Sequence, residues 1–203
     1  MTTWREDLGI WWPAFDTAAA VHHAWVMRSV GDSAVALKYC RQRRACIQAG
    51  GHVGLWPIRL AASFGRVYTF EADTRLQPSL IANTRAHGNI IVSAEALGAS
   101  IGLAPFNTAR KLGVARLEEG GHIAHVTTID ALELGDCDLI YLDIEGGEVA
   151  ALQGAAETIA RCKPVIAVEM LVRTKVEIHA HMLSIGYTAR KRLRGDMVYV
   201  PTQ

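Results

Sequence analysis

The chain has 203 residues, 50% hydrophobic and 20% charged, with 21 Lys plus Arg against 20 Asp plus Glu. That is globular composition with a formal net charge of +1, which excludes disorder and a global basic field for nucleic acid or an anionic membrane. No apolar run reaches the roughly 18 residues of a spanning helix. Arg5, Glu6 and Asp7 argue against a signal peptide, and four scattered cysteines with no C-x-x-C read as reduced thiols in a cytoplasm.

Residues 1–44 hold four of the five tryptophans, Trp4, Trp11, Trp12 and Trp25. This head is predicted to form one or two helices packed on a domain spanning 45–203. Trp11-Trp12-Pro-Ala-Phe-Asp16 reads as a hydrophobic clamp, with a lid over an acceptor pocket as the alternative. Five short apolar runs follow: Ala45–Ala49, Arg66–Glu71, Asn89–Ser93, Asp138–Asp143 and Pro164–Glu169. They barely alternate in polarity, as strands covered on both faces do. Helical stretches separate them. Leu55–Phe64 stops at Gly65, a segment opened by Pro78 ends at His87-Gly88, and Glu148–Cys162 carries Val149, Leu152, Ala156 and Ile159 on one stripe. The order predicts an α/β, doubly wound, mostly parallel sheet. In the tail, a helix over 176–185 precedes two strands around Arg194-Gly195-Asp196, a hairpin signal.

Ligands of such sheets bind beyond the carboxyl ends of the strands, and those ends are polar or glycine-rich here. The first run leads into Gln48-Ala-Gly50-Gly51-His52-Val-Gly54, where glycines let backbone approach a ligand closely. It is not the dinucleotide fingerprint, which needs glycine at 49, and no Gly-Lys-Ser/Thr follows to make a P-loop. Glu71 ends the second run 21 residues after Gly50, the placement of an acid that holds a ribose diol. Asp143, Glu145 and Glu148 crowd the end of the fourth run, and Glu169 ends the fifth. Their charge calls for a sulfonium, an ammonium or a metal ion nearby, although Glu148 fits a helix-start role. The H-x-x-H at 122/125 and H-x-H at 179/181 lack a zinc pattern. Arg41, Arg43, Arg44, Arg190, Lys191, Arg192 and Arg194 read as solvated edges.

Ile47-Gln-Ala-Gly-Gly-His-Val-Gly54, Val67-Tyr-Thr-Phe-Glu71, Asn83, Val126-Thr-Thr-Ile-Asp130 and Asp143-Ile-Glu-Gly-Gly-Glu148 fall in the order of the FkbM-like methyltransferases. The resemblance covers residues 45–200, and D-x-E-G-x-E is its most specific part. It implies a Rossmann-like class I fold that binds S-adenosylmethionine (SAM), with a seven-stranded sheet taking the tail hairpin as an antiparallel edge. On that template Gln48, Gly50, Gly51, His52 and Gly54 hold the methionine end, Glu71 the ribose, and Ser93-Ala-Glu95 lies against adenine. Asp143 and Glu145 face the methyl group and the acceptor. The family usually has Asp, Asn and Lys where this chain has Gln48, His52 and Tyr141. Gln48 can accept from the SAM amino group without charge. His52 is either a helix cap or, with Asp143 and Glu145, a candidate catalytic base.

The expected function is O-methylation of a hydroxyl on a sugar or natural-product-like small molecule. A nucleic-acid methyltransferase is disfavoured by Asp-Ile-Glu-Gly at the fourth strand end, and a non-catalytic SAM-fold binding module is the other alternative. No metal site is assigned, though a divalent ion at Asp143, Glu145 and Glu169 stays open, as does homo-oligomerisation.

Overall fold

The computed structural model describes residues 1–107, 116–117 and 121–202. Its head is only half helical, against expectation. β1 (Thr2–Arg5) and β2 (Ile10–Pro13) pair antiparallel before helix α1 (Ala19–Leu37) begins. The tryptophans explain the difference. Trp4 and Trp11 face each other across the two strands with ring centroids 5.6 Å apart, a cross-strand aromatic pair that favours a hairpin. Trp12 is fully buried and packs with Ile10, Ala19, Val53 and Leu76.

β3 (Ala45–Ala49), α2 (Leu55–Ala61), β4 (Arg66–Phe70), α3 (Gln77–Thr84) and β5 (Ile90–Ser93) form two parallel crossovers, in the places the apolar runs predict. A second, four-stranded sheet then departs from the expected pattern. β6 (Ala96–Leu97), β7 (Gly102–Asn107), β8 (Arg116–Leu117) and β9 (His122–Thr127) line up as β6-β9-β7-β8. Leu103 and Ile123 stay exposed there, so neither a continuous apolar run nor a regular alternation betrays these strands.

The main sheet resumes with β10 (Leu139–Leu142), α4 (Glu148–Gln153), α5 (Ala156–Cys162), β11 (Val165–Glu169), α6 (Lys175–Ser184), β12 (Tyr187–Arg192) and β13 (Asp196–Pro201). The helix expected over 148–162 is thus two helices, parted at Gly154. A Cβ at that glycine would lie 2.1 Å from the Gly98 carbonyl oxygen, so the chain there runs against the small sheet. The strand order is β12-β13-β11-β10-β3-β4-β5. The hairpin forms as expected, but β13 lies inside, antiparallel to both neighbours, and β12 is the edge. Val198 and Tyr199 of β13 are fully buried, whereas Arg190, Lys191 and Arg192 of β12 are exposed, and the apolar strand takes the interior.

Ile47, Ile140, Leu142, Ile166 and Val168 pack on one face of the sheet against α4, α5 and α6. Cys46, Leu139, Tyr141, Val165 and Ala167 pack on the other against α1 and α2. Burial on both faces accounts for the unalternating runs. Strand order reverses between β3 and β10, so the ends of these two strands flank the crevice of a doubly wound sheet. No helix among the described residues is long and apolar enough to cross a membrane.

Candidate functional site

Gly50 follows β3 and Asp143 follows β10, and the Asp143 N–H donates to the Ala49 carbonyl at 3.1 Å. The backbones pass so closely that a Cβ on Gly50 would meet the Asp143 carbonyl oxygen at 2.0 Å, and Gly50 has φ +82°. Only glycine fits that turn. The Gly50 and Gly51 N–H groups both donate to the Phe70 carbonyl, tying the loop to the end of β4. Gly54 starts α2 with φ +99° and no side-chain cap, so His52 is not a helix cap.

Gln48 is fully buried and turned into the sheet. Its amide donates to the Ala49 and Gly50 carbonyls and its oxygen accepts from the Thr69 hydroxyl. It braces the loop from behind instead of reaching into the crevice. Asn83 is a second brace. It accepts from the Trp11 N–H at 2.8 Å and donates to the Trp11 and Val53 carbonyls, which fastens the head hairpin to the glycine loop.

A cleft opens in front of this loop, lined by Gly50, His52, Glu71, Glu95, Asp143 and Glu145 among others. The structure therefore brings six of the sequence-predicted site residues to one cleft, and leaves Gln48, Gly51 and Gly54 behind its wall. Glu71 is 8% exposed. Its two oxygens accept from the His52 and Asp73 N–H groups, each at 2.8 Å. Burial nevertheless pushes its pKa up to about 7. His52, at φ +50°, leaves its Nδ1 buried with no partner among the described residues, and Trp12 stands edge-on to its ring at 5.8 Å. Burial lowers its pKa to about 4, so the imidazole is neutral at physiological pH and is not a base poised near 7. Glu95 accepts from the Ser93 hydroxyl at 2.9 Å.

Asp143, Glu145 and Glu169 each offer an oxygen within 4.8 Å of the others, a donor set able to face a cation. Asp143 and Glu169 share a hydrogen bond, and both have raised pKa values, through burial first and then through the crowding of neighbouring carboxylates. Glu148 has a different task. One of its oxygens accepts from the Ile144 and Gly146 N–H groups, closing the turn before α4. Tyr141 is fully buried and donates its hydroxyl to Asp196.

A second cleft adjoins the first, lined by Trp25, Arg28 and Ser29 of α1, by Asp143 and Glu169, and by Arg194, Gly195 and Asp196 of the hairpin turn. Trp25 and Asp143 line both clefts. Of the head's tryptophans Trp25, 51% exposed, lines the clefts, whereas Trp11 and Trp12 support the glycine loop from behind. Trp12 donates its indole N–H to Asp16 at 2.7 Å and packs on Val53 and Leu76 of the core. Arg194 is exposed, as a solvated edge would be, and also lines this second cleft. Arg44, in contrast, bonds Asp138 and holds the starts of β3 and β10 together. Sequence reasoning missed Trp25, Leu97 and Phe106 in the first cleft. Trp25 carries a weak signal, since Val26 and Val30 set the buried face of α1 and leave it on the flank. His179 meets the Tyr199 hydroxyl at 3.1 Å, which matches a structural histidine.

The family model described as the methyltransferase FkbM domain matches residues 48–190. No curated protein matches the sequence. Among solved structures, a methyltransferase FkbM from Methylobacillus flagellatus KT superposes with TM-score 0.61 at 21% identity, over 78% of this chain and 43% of that one. This chain therefore spans less than half the length of that structure, and the likeness is one of fold. Magnesium protoporphyrin IX methyltransferase from Synechocystis PCC 6803, solved with bound SAM, gives TM-score 0.48 at 13% identity over 91% of this chain and 84% of that one.

Proposed function

Since the chain belongs to the FkbM methyltransferase family, we propose that it transfers a methyl group from SAM to a hydroxyl oxygen of a small sugar or natural-product-like acceptor. One observation carries the reading: Gly50, Glu71 and Asp143 line a single cleft, and Asp143 and Trp25 also line its neighbour. A methyl donor in the first cleft and an acceptor in the second meet at Asp143.

SAM, when bound, supplies a sulfonium methyl group that an oxygen nucleophile displaces in line. The chain's residues position the two partners, which contributes about 7–11 kcal/mol where the approach is well aligned. The Gly50 turn lets backbone come close to the methionine end. Glu71 accepts from the ribose diol, a role its carboxylate fills at and above its pKa of about 7. Glu95, beside Leu97 and Phe106, faces adenine. His52 contributes a neutral, buried ring to the wall beside the methionine end.

Asp143 takes the proton of the acceptor hydroxyl. Its raised pKa brings a carboxylate closer to the ideal for a base acting near neutral pH, a contribution of roughly 10²–10⁴-fold. Asp143, Glu145 and Glu169 offer acceptor oxygens within 4.8 Å of one another, a donor set that suits a cationic methyl donor. The test is methyl transfer from isotopically labelled SAM to a panel of hydroxylated acceptors, with RNA and DNA alongside. Label on a small acceptor is the expected result. SAM binding without transfer to anything would favour a binding module, and label on nucleic acid would overturn the acceptor class.

A further inference from the structure

The second cleft has a polarity of its own. Its floor is acidic, made by Asp143, Glu169 and Asp196, and its outer wall is α1 with Trp25, Arg28 and Ser29. The acids are engaged within the fold: Asp143 with Glu169, and Asp196 with the Tyr141 hydroxyl. Arg28 is different. It is exposed, it lines the cleft, and it makes no hydrogen bond or ion pair among the described residues. Spacings of three and four residues place Trp25, Arg28 and Ser29 on one face of α1, and Arg194 faces the same space from the hairpin turn.

Building on the methyltransferase reading, we infer that this cleft selects acceptors carrying an anionic group, a carboxylate or a phosphate, besides the hydroxyl to be methylated. An anion is repelled by the floor and drawn to the guanidinium of Arg28 at the rim, assisted by Arg194. The neutral hydroxyl is the part that can approach Asp143. Trp25, half exposed between the two clefts, offers an indole face for the apolar side of a sugar or other ring. Arginine is suited to this task because its planar fork bonds carboxylate and phosphate oxygens in pairs. The acceptor is thereby oriented by charge, anion outward and hydroxyl inward, before any contact specific to its skeleton.

The test is calorimetry on the full chain saturated with S-adenosylhomocysteine, titrated with glucose, glucuronate, glucose 1-phosphate and glucosamine. At least one of the two anionic sugars is expected to bind tenfold or more tighter than glucose, and the stronger of the two identifies carboxylate or phosphate as the preferred group. Arg28→Gln, a surface change, should bring the anionic sugars to within about twofold of glucose while S-adenosylhomocysteine binds as before. Equal binding of all four, no binding by any, tightest binding of glucosamine, or an anion preference that survives in Arg28→Gln would each overturn the inference. The affinity for S-adenosylhomocysteine is measured separately in the same samples. Its absence would sink the methyltransferase reading, whereas an unmodified chain that binds S-adenosylhomocysteine but shows no anion preference would sink only the acceptor class.

Discussion

Replacing Glu71 by alanine separates two roles that the structure gives one side chain. In the folded protein its carboxylate satisfies two backbone N–H groups, from His52 and Asp73. Leaving both unpaired costs about 1–3 kcal/mol each. Against this, burial raises the pKa from 4.5 to about 7, a destabilisation of about 3 kcal/mol once the group is ionised. The sign follows from proton uptake. The folded chain holds a proton that the unfolded chain releases between pH 4.5 and 7, so stability falls as pH rises through that window and is flat above it. Glu71→Ala abolishes the slope. The substitution should therefore cost about 3 kcal/mol more stability at pH 4 than at pH 8, and near pH 8 the gains and losses nearly cancel. Cofactor affinity responds differently. Two ribose hydroxyls that lose a charged acceptor forfeit about 1.5–3 kcal/mol each, a weakening of at least 10²-fold. In the unmodified chain, affinity should strengthen as pH rises toward 7 and then level off. Calorimetry with S-adenosylhomocysteine and urea unfolding across pH measure both roles. Unchanged affinity in Glu71→Ala, with stability lost equally at both pH values, would refute the reasoning and leave Glu71 as a loop brace.

Asp143→Asn should cut turnover by roughly 10²–10⁴-fold while the melting temperature holds or rises, because a buried, crowded carboxylate becomes neutral; kcat at the unmodified level would remove its role as base. Gly50→Ala forces a side chain into the left-handed region at φ +82° and against the Asp143 carbonyl. A loss of about 2–5 kcal/mol in urea unfolding is expected, and wild-type stability would contradict the close approach. Trp25→Ala removes a half-exposed ring that lines both clefts, so it should raise the acceptor KM and weaken S-adenosylhomocysteine with little change in melting temperature. A large drop in melting temperature with unaltered binding would make it a core residue instead.

β3, β10 and β11 were legible because burial on both faces leaves an unmistakable composition: Ile47 and Cys46, or Ile140 and Leu139, are apolar on opposite faces of one sheet; β5, at the sheet edge and half-buried, was legible from its β-branched run alone. The strand-end carboxylates and the glycine turn were legible for the same reason, as polar interruptions with no core role. What escaped was set by tertiary contacts. Trp4 and Trp11 form a pair only once a turn brings them together. The break at Gly154 falls where the backbone of Gly98, just after β6, presses against it. Gln48 reads as a ligand contact in one dimension, but Thr69 and two carbonyls claim its amide in three. His52 reads as a helix cap or a base until Gly54 is seen to start α2 and burial against Trp12 is seen. Arg28 looks like any surface arginine on a helix, and its interest comes only from the cleft it lines.

A crystal structure grown with S-adenosylhomocysteine tests the placement of the cofactor at Gly50 and Glu71. Nucleoside density is expected between the Gly50 turn and Glu71, with ribose hydroxyls on the Glu71 carboxylate and the sulfur pointing to the junction at Asp143 and Trp25. Density seated elsewhere, or a ribose that does not touch Glu71, would contradict that placement.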